Sequence, residues 1–514
     1  MAGLLLAGEA TAGLPPIPER PEAEVLKDAP APWRDYLLKA RAAERIADPL
    51  QRCLAFPDVP GNKWPAGHAQ AHCRYHNAAV PSLADVEGYL QRGEAGALEK
   101  LLADALARHF SDSGFSEEIH PFFERFQGEP ADADRVSALW LEKSPDSAFA
   151  VLARGVYFVS AAWKARGGKW ASETPRESLR EMSRMADQAV PLIRKAIKAE
   201  PRLMPGYVAA MDLAILDSRA DLEAWAFQKG HGIDPGCTEL VRYRMRSLEP
   251  RWGGSYEAML AYAYELPALY PRRPQIAMYQ AAPFGDRGNR LVLDDVYTQE
   301  TADVLDIAVA TGSTEAHLHD AANLAYSRTD APKDQWKGLA YLLQEARFNK
   351  GGAWADRRIG WNLLRTEPEW ALPYLVRAEA TEPDSAWGQY LLGAAYYNSG
   401  RYEEAERHYL KALGDQKQRQ ASLRELTTMW LYDAGLAHKQ AAAKAAPYID
   451  RLRAEYPQDG RGFMYRMDQL AMAGGGRLDP EQMKQFLKLA DRADPAQKRY
   501  AEEIEAAFRK AGIK

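Results

Sequence analysis

From about Pro81 onward, apolar residues recur every three or four positions in segments of roughly 10 to 18 residues, rich in Ala, Leu, Glu, Lys and Arg and separated by Pro or Gly. Such spacing puts one apolar stripe on each helix and predicts an all-α chain. Val and Ile do not gather into alternating strands. The single candidate strand, LVLDDVY at 291–297, is short and lies between helical stretches. Ahead of this region, GLPPIPERPEAEVLKDAPAPW at 13–33 is rich in Pro and Glu and reads as extended or mobile. The first twelve residues join an apolar run at Leu4, Leu5 and Leu6 to the small-residue triplet Ala10-Thr11-Ala12, the pattern of a secretory cleavage site that would leave Gly13 at the mature end. The basic stretch of such signals is missing, so an apolar leader on a cytosolic protein is the alternative to export.

The helices also repeat. In AWGQYLLGAAYYNSGRYEEAERHYLKAL at 386–413, Gly393 and Ala405 are small where two antiparallel helices would have to approach closely. Tyr396 and Tyr409 would fill the wedge beside them, with Gly400 closing the turn. Together with Leu392 and Ala412, these residues make the segment, about 386–419, resemble a tetratricopeptide repeat, a helix-turn-helix unit of about 34 residues. Ala371, Leu375, Ala378 and Pro383 fit the second helix of a preceding copy, whose first helix, with Trp354 and Trp361, departs from the pattern at its Leu-Gly step. Fainter copies end at Pro145, Pro201 and Pro457. The resemblance implies an irregular tetratricopeptide-like α-solenoid of stacked antiparallel hairpins. Along the chain this gives a leader at 1–12, a Pro/Glu-rich segment and first helix at 13–50, a Cys-flanked segment at 51–80, degenerate repeats at 81–300 and better repeats at 301–514.

The turn Pro250-Arg251-Trp252-Gly253-Gly254-Ser255 resembles the hallmark of an uncharacterised bacterial family with tetratricopeptide-like repeats, a likeness spanning about residues 50–300 that implies no established activity. Physically, Gly253 and Gly254 permit positive φ, and Ser255 is placed to cap the next helix. The Trp252 ring is expected against a neighbouring hairpin, with the Arg251 guanidinium on nearby carbonyls.

Composition narrows the function. Lys and Arg number 66 against 71 Asp and Glu, a net charge of −5, and no basic stripe offers itself to nucleic acid. Hydrophobic residues at 46 % exclude wholesale disorder, and no apolar run has the length of about 18 residues that a membrane span needs. Phosphate-binding, nucleophile-elbow and zinc-protease motifs are absent, so no catalytic residue and no cofactor is assigned. Cys53 and Cys73 flank a turn-rich segment and would pair in an oxidising compartment; two buried free thiols are the alternative. His68, His72 and His76 recur every four residues on one helical face and form a candidate metal site, although that segment has no acidic residue after Asp58. His317, His319 and Asp320, like the adjacent acids Glu117-Glu118 and Asp294-Asp295, read as solvated surface groups.

The aromatic positions Trp387, Tyr390 and Tyr397 of the best repeat, with Trp354 and Trp361 upstream, are candidates for a binding groove on the inner surface of the solenoid, inter-repeat core being the alternative. This groove lacks the Lys/Asn/Arg set that clamps a terminal carboxylate. The leading expectation is a non-enzymatic scaffold or adaptor of the bacterial envelope for a protein or peptide partner, without nucleic acid or a membrane span. A carbohydrate-active enzyme on a closed ring of hairpins, needing two convergent carboxylates, is the runner-up. A metal-binding protein is the third reading.

Overall fold

The computed structural model describes residues 13–111, 117–128, 130–169, 171–348, 351–476 and 478–513, which hold 27 α-helices and no strand. The leader and its cleavage site fall outside the described residues. The chain divides into two compact units, one of residues 13–28 and 351–513, the other of 29–348.

In the first unit, antiparallel hairpins follow one another: Ala353–Leu363 with Pro368–Thr381, Ala386–Asn398 with Tyr402–Ala412, Gln416–Thr428 with His438–Glu455, and Gly460–Ala473 with Pro480–Leu489, closed by Pro495–Ala511. The side chains of Ser385, Asp415, Asp459, Asp479 and Asp494 accept backbone N–H groups of the turns they open, which satisfies donors a helix start leaves bare. Within the hairpins the close approach depends on glycine. A Cβ on Gly393 would stand 2.7 Å from the buried Tyr409 ring, and one on Gly360 would stand 2.3 Å from Leu375. The upstream hairpin therefore keeps the small residue one position later than the repeat pattern places it, the form that its departure at the Leu-Gly step takes. Gly400 takes φ +73° in its turn, as the sequence requires.

Successive first helices of this unit are tied by phenol-to-carboxylate hydrogen bonds. Tyr397 donates to Asp433, Tyr432 donates to Asp468 at 2.5 Å, and Tyr500 of the closing helix donates to the other oxygen of Asp468. A π-helical turn, Met429–Asp433, carries both Tyr432 and Asp433. The Pro-rich segment is held here rather than left mobile. Arg20 donates to the Thr366 carbonyl at 2.9 Å and reaches Glu367 and Glu369, while Val25 and Leu26 are buried.

The second unit is built around Met204–Leu216, a helix buried at every position and packed among Ala148–Arg166, Arg176–Ala199, Ala220–Ile233 and Thr238–Ser247. An apolar helix flanked on all sides has to be a core element. Gly206 against Ile197, Gly288 against Leu305 and Gly338 against Tyr326 repeat the close approach seen in the other unit. The candidate strand at 291–297 does not form: Leu291, Val292 and Leu293 end the helix Ala282–Leu293, burying Val292, and a turn follows.

At the Pro250 turn Gly253 has φ +93°, and Gly254 is required for space, because a Cβ there would lie 2.1 Å from the Leu248 carbonyl oxygen. Ser255 Oγ accepts from Ala258 N at 3.2 Å. The Trp252 ring meets Trp163 edge-on at 5.9 Å. Arg251 Nε donates to the Glu249 carboxylate at 2.5 Å, not to carbonyls, since the nearer anion outcompetes neutral acceptors.

Cys53 and Cys73 form a disulfide joining the short helices Pro49–Ala55 and His68–His76. Both helices pack on Gln335–Phe348, where Arg347 Nε donates to the Cys53 carbonyl at 2.8 Å and Tyr36 Oη donates to the Ala340 carbonyl at 3.1 Å. These contacts put 301–348 with the preceding chain, so the division of the fold falls at 350/351 and not at 300/301.

Gly393→Val should lower stability by about 1–3 kcal/mol through overpacking, while Gly400→Asn, in open space, should change it by a few tenths. Urea midpoints at constant m-value would check this; equal midpoints for the two variants would contradict the close-approach account.

Candidate functional site

Within the 29–348 unit, helix His68–His76, Thr238–Ser247 and the start of Glu315–Ser327 surround a cavity of about 500 Å³. Its lining combines apolar surface with the charged and polar groups His72, His76, Glu124, Glu239, Arg242 and Glu315, with Tyr75 and Tyr279. Arg242 pairs with Glu239 at 2.5 Å, and burial pushes the Glu239 carboxyl up to about 7 against the opposing pull of that guanidinium. Tyr75 Oη donates to Glu124 at 3.2 Å.

The three histidines of helix His68–His76 do different things. His68 Nδ1 donates to the Pro274 carbonyl at 2.9 Å, and its Nε2 lies 2.6 Å from Ser313 Oγ. Burial lowers its pKa to about 3, so the ring is neutral and Nε2 accepts the Ser313 hydroxyl proton. Ser313 Oγ in turn accepts from His72 Nδ1 at 2.7 Å. That order of donors leaves the lone pair of His72 on Nε2, which is buried, makes no hydrogen bond, and lies 3.4 Å from Glu315 Oε1. His76 Nε2 lies 3.0 Å from the same oxygen. His72 also stacks on Phe348 with centroids 3.9 Å apart, which fixes its ring. The structure thus joins His72 and His76 with Glu315 and turns His68 away from them. The acid missing from the histidine segment comes from far along the chain, and no local spacing announces it.

A second group is sealed in the core. His109, Glu117, His120 and Cys237 offer ligand atoms within 4.8 Å of one another. Glu117, expected at the surface, is fully buried and accepts from Thr238 N at 2.9 Å and Gln275 Nε2 at 3.0 Å. Those two donors, with the buried Arg273 guanidinium 3.6 Å away, are the physical reason it tolerates burial. His109 Nε2 meets Asp234 at 2.8 Å and His120 Nε2 meets Cys237 Sγ at 3.4 Å. Burial and the neighbouring carboxylates push the Cys237 thiol well up. His317 and Asp320 are likewise buried, not solvated: Asn289 Nδ2 donates to Asp320 at 2.9 Å, and the His317 ring fills the space that a Cβ on Gly285 would need.

The aromatic positions lie in the other unit, on Ala353–Leu363 and Ala386–Asn398. Trp361 is 45 % exposed and its ring centroid is 6.5 Å from that of the half-buried Trp387. Trp354 lies under the Arg358 guanidinium at 5.6 Å. Tyr390 packs on Tyr409 at 5.6 Å, and Tyr397 is occupied with Asp433. Trp361 is therefore exposed with Trp387 half-buried beside it, while the two tyrosines link helices. Tyr432, 40 % exposed, belongs with the outward-facing residues and was not among those the repeat pattern singled out.

No family model and no curated protein matches the chain. Solved structures that align with it include the tetratricopeptide-repeat domain of P58(IPK), at 13 % identity, covering 83 % of this chain and 99 % of that one with a TM-score of 0.24. The Cut9–Hcn1 hetero-tetramer of APC/C aligns at 12 % identity over 93 % and 97 % with a TM-score of 0.30. Human IFIT1, solved as a dimer with m7Gppp-AAAA, aligns at 13 % identity over 91 % and 96 % with a TM-score of 0.23.

Burial lowers the His317 pKa to about 4. An unfolded chain protonates this ring below about pH 6.5, so its contribution to stability is intact above that pH and falls by about 1.4 kcal/mol per unit as pH drops toward 4. His317→Gln should make the acid limb of unfolding free energy against pH shallower by about that slope. An unchanged slope would contradict a neutral buried ring.

Proposed function

We propose that the protein is a non-enzymatic scaffold of the bacterial envelope that receives a protein or peptide segment on the first helices of its 351–513 hairpins. The observation carrying this reading is the exposed Trp361 beside the half-buried Trp387 on consecutive first helices, with Tyr432 exposed at the end of the next first helix. Large rigid side chains of this kind gain most from burial against a partner and lose little conformational entropy in doing so. Their mounting is stiff: Gly393 seats Tyr409, and the Tyr397–Asp433 and Tyr432–Asp468 bonds set neighbouring hairpins in register. A prearranged surface reduces the ordering cost of binding.

The compartment is part of the proposal. The Cys53–Cys73 disulfide supports an oxidising environment, as does the small-residue triplet after the apolar start of the chain. No helix among the described residues is long and apolar enough to cross a membrane.

Affinity capture from envelope and cytosolic fractions, with mass spectrometry, tests both parts. The parent chain should retain a protein from the envelope fraction, and Trp361→Lys/Trp387→Lys should lose at least about tenfold of it with helical CD unchanged. Equal capture by both chains would remove the strip from the reading.

A further inference from the structure

The cavity of the 29–348 unit has features that a docking scaffold does not need. His72 and His76 sit one helical turn apart, and their Nε2 atoms converge on a single carboxylate oxygen at 3.4 and 3.0 Å. The ligand atoms of His72, His76 and Glu315 all lie within 4.8 Å of one another. Bonds of about 2.1 Å to nitrogen and oxygen put adjacent donor atoms about 3.0–3.4 Å apart in octahedral or tetrahedral shells, the range in which both nitrogen-to-oxygen separations fall. The second observation is independent of spacing. His72 is 1 % exposed, its Nδ1 proton is committed to Ser313, and Nε2 is a buried nitrogen without a hydrogen-bond partner, aimed at an anion. A lone pair opposite a carboxylate is repulsive, and a cation between them makes it attractive.

We propose that His72 Nε2, His76 Nε2 and the Glu315 carboxylate form a site for a divalent transition-metal cation, Zn²⁺ being the one this two-nitrogen, one-oxygen donor set suits. The proposal is independent of the aromatic strip. Imidazole donors select against Ca²⁺ and Mg²⁺, which prefer oxygen alone. His68 and Ser313 act as positioning residues, holding His72 in the tautomer that presents Nε2. The disulfide at Cys73, next to His72 in the same helix, anchors the ligand helix and removes the nearest thiols as rival ligands. Three protein ligands leave coordination positions free, and these face a cavity containing Arg242 and Glu239, with His76 at its rim, 33 % exposed.

The test uses the full chain, stripped with chelator and dialysed, then titrated with Zn²⁺ by calorimetry and with Co²⁺ by visible absorption. Expected is one equivalent at this site, with a Co²⁺ spectrum free of thiolate charge transfer. Glu315→Gln and His76→Gln should each weaken binding at least about tenfold with thermal unfolding otherwise unchanged, and Cys237→Ser should leave it intact. His76 is near a helix end at the rim, so its variant keeps the test usable should Glu315→Gln fail to fold. No uptake, uptake indifferent to both ligand variants, or a thiolate band abolished by Cys237→Ser would overturn the assignment. The first result would mean that His76 and Glu315 are a plain ion pair.

Discussion

Close approach of antiparallel helices is the constraint on which the fold depends. Helices separated by ordinary side chains stand far enough apart that a hairpin buries little area, whereas a glycine on one helix lets a large side chain of the other rest on its backbone. Gly393 under Tyr409, Gly360 under Leu375, Gly206 beside Ile197 and Gly288 beside Leu305 are instances of one device used in both units. Each such pair leaves too little room for a methyl group, so the geometry is set by exclusion as much as by attraction.

With the hairpins fixed internally, something must still fix one hairpin against the next. In the 351–513 unit that role falls to hydrogen bonds between first helices, from Tyr397 to Asp433 and from Tyr432 to Asp468, with the closing helix adding Tyr500. These bonds combine apolar ring packing with a directional contact to an anion, so they specify register where apolar packing alone tolerates sliding. The same first helices carry Trp361 and Trp387 to the surface. In the 29–348 unit the disulfide-bridged helices return onto Gln335–Phe348, and the second of them, His68–His76, also lines the cavity.

The hairpins were legible in the sequence wherever the signal is local. Gly393, Ala405 and Gly400 announce one repeat through spacing within a single helix pair, and Ser255 announces a cap three residues from its partner. What local spacing cannot carry is which residue of one hairpin meets which of another. Glu315 reaches His72 across more than two hundred residues, so the histidine face read as lacking an acid. Glu117 read as solvated because its two donors, Thr238 N and Gln275 Nε2, also lie more than a hundred residues away. The Pro-rich start read as mobile because Arg20 finds the Thr366 carbonyl only in the folded unit. Burial of a polar group follows from partners, and partners in a helical-repeat chain are mostly non-local.

A scaffold of this kind meets another macromolecule on the first-helix surface of its 351–513 unit. Hydrogen exchange of the full chain, measured with and without its captured partner, reads this directly. Slowed exchange concentrated in Ala353–Leu363, Ala386–Asn398 and the π-helical turn Met429–Asp433 is the result expected. Slowing confined to the second helices Pro368–Thr381 and Tyr402–Ala412, with the first helices untouched, would contradict it.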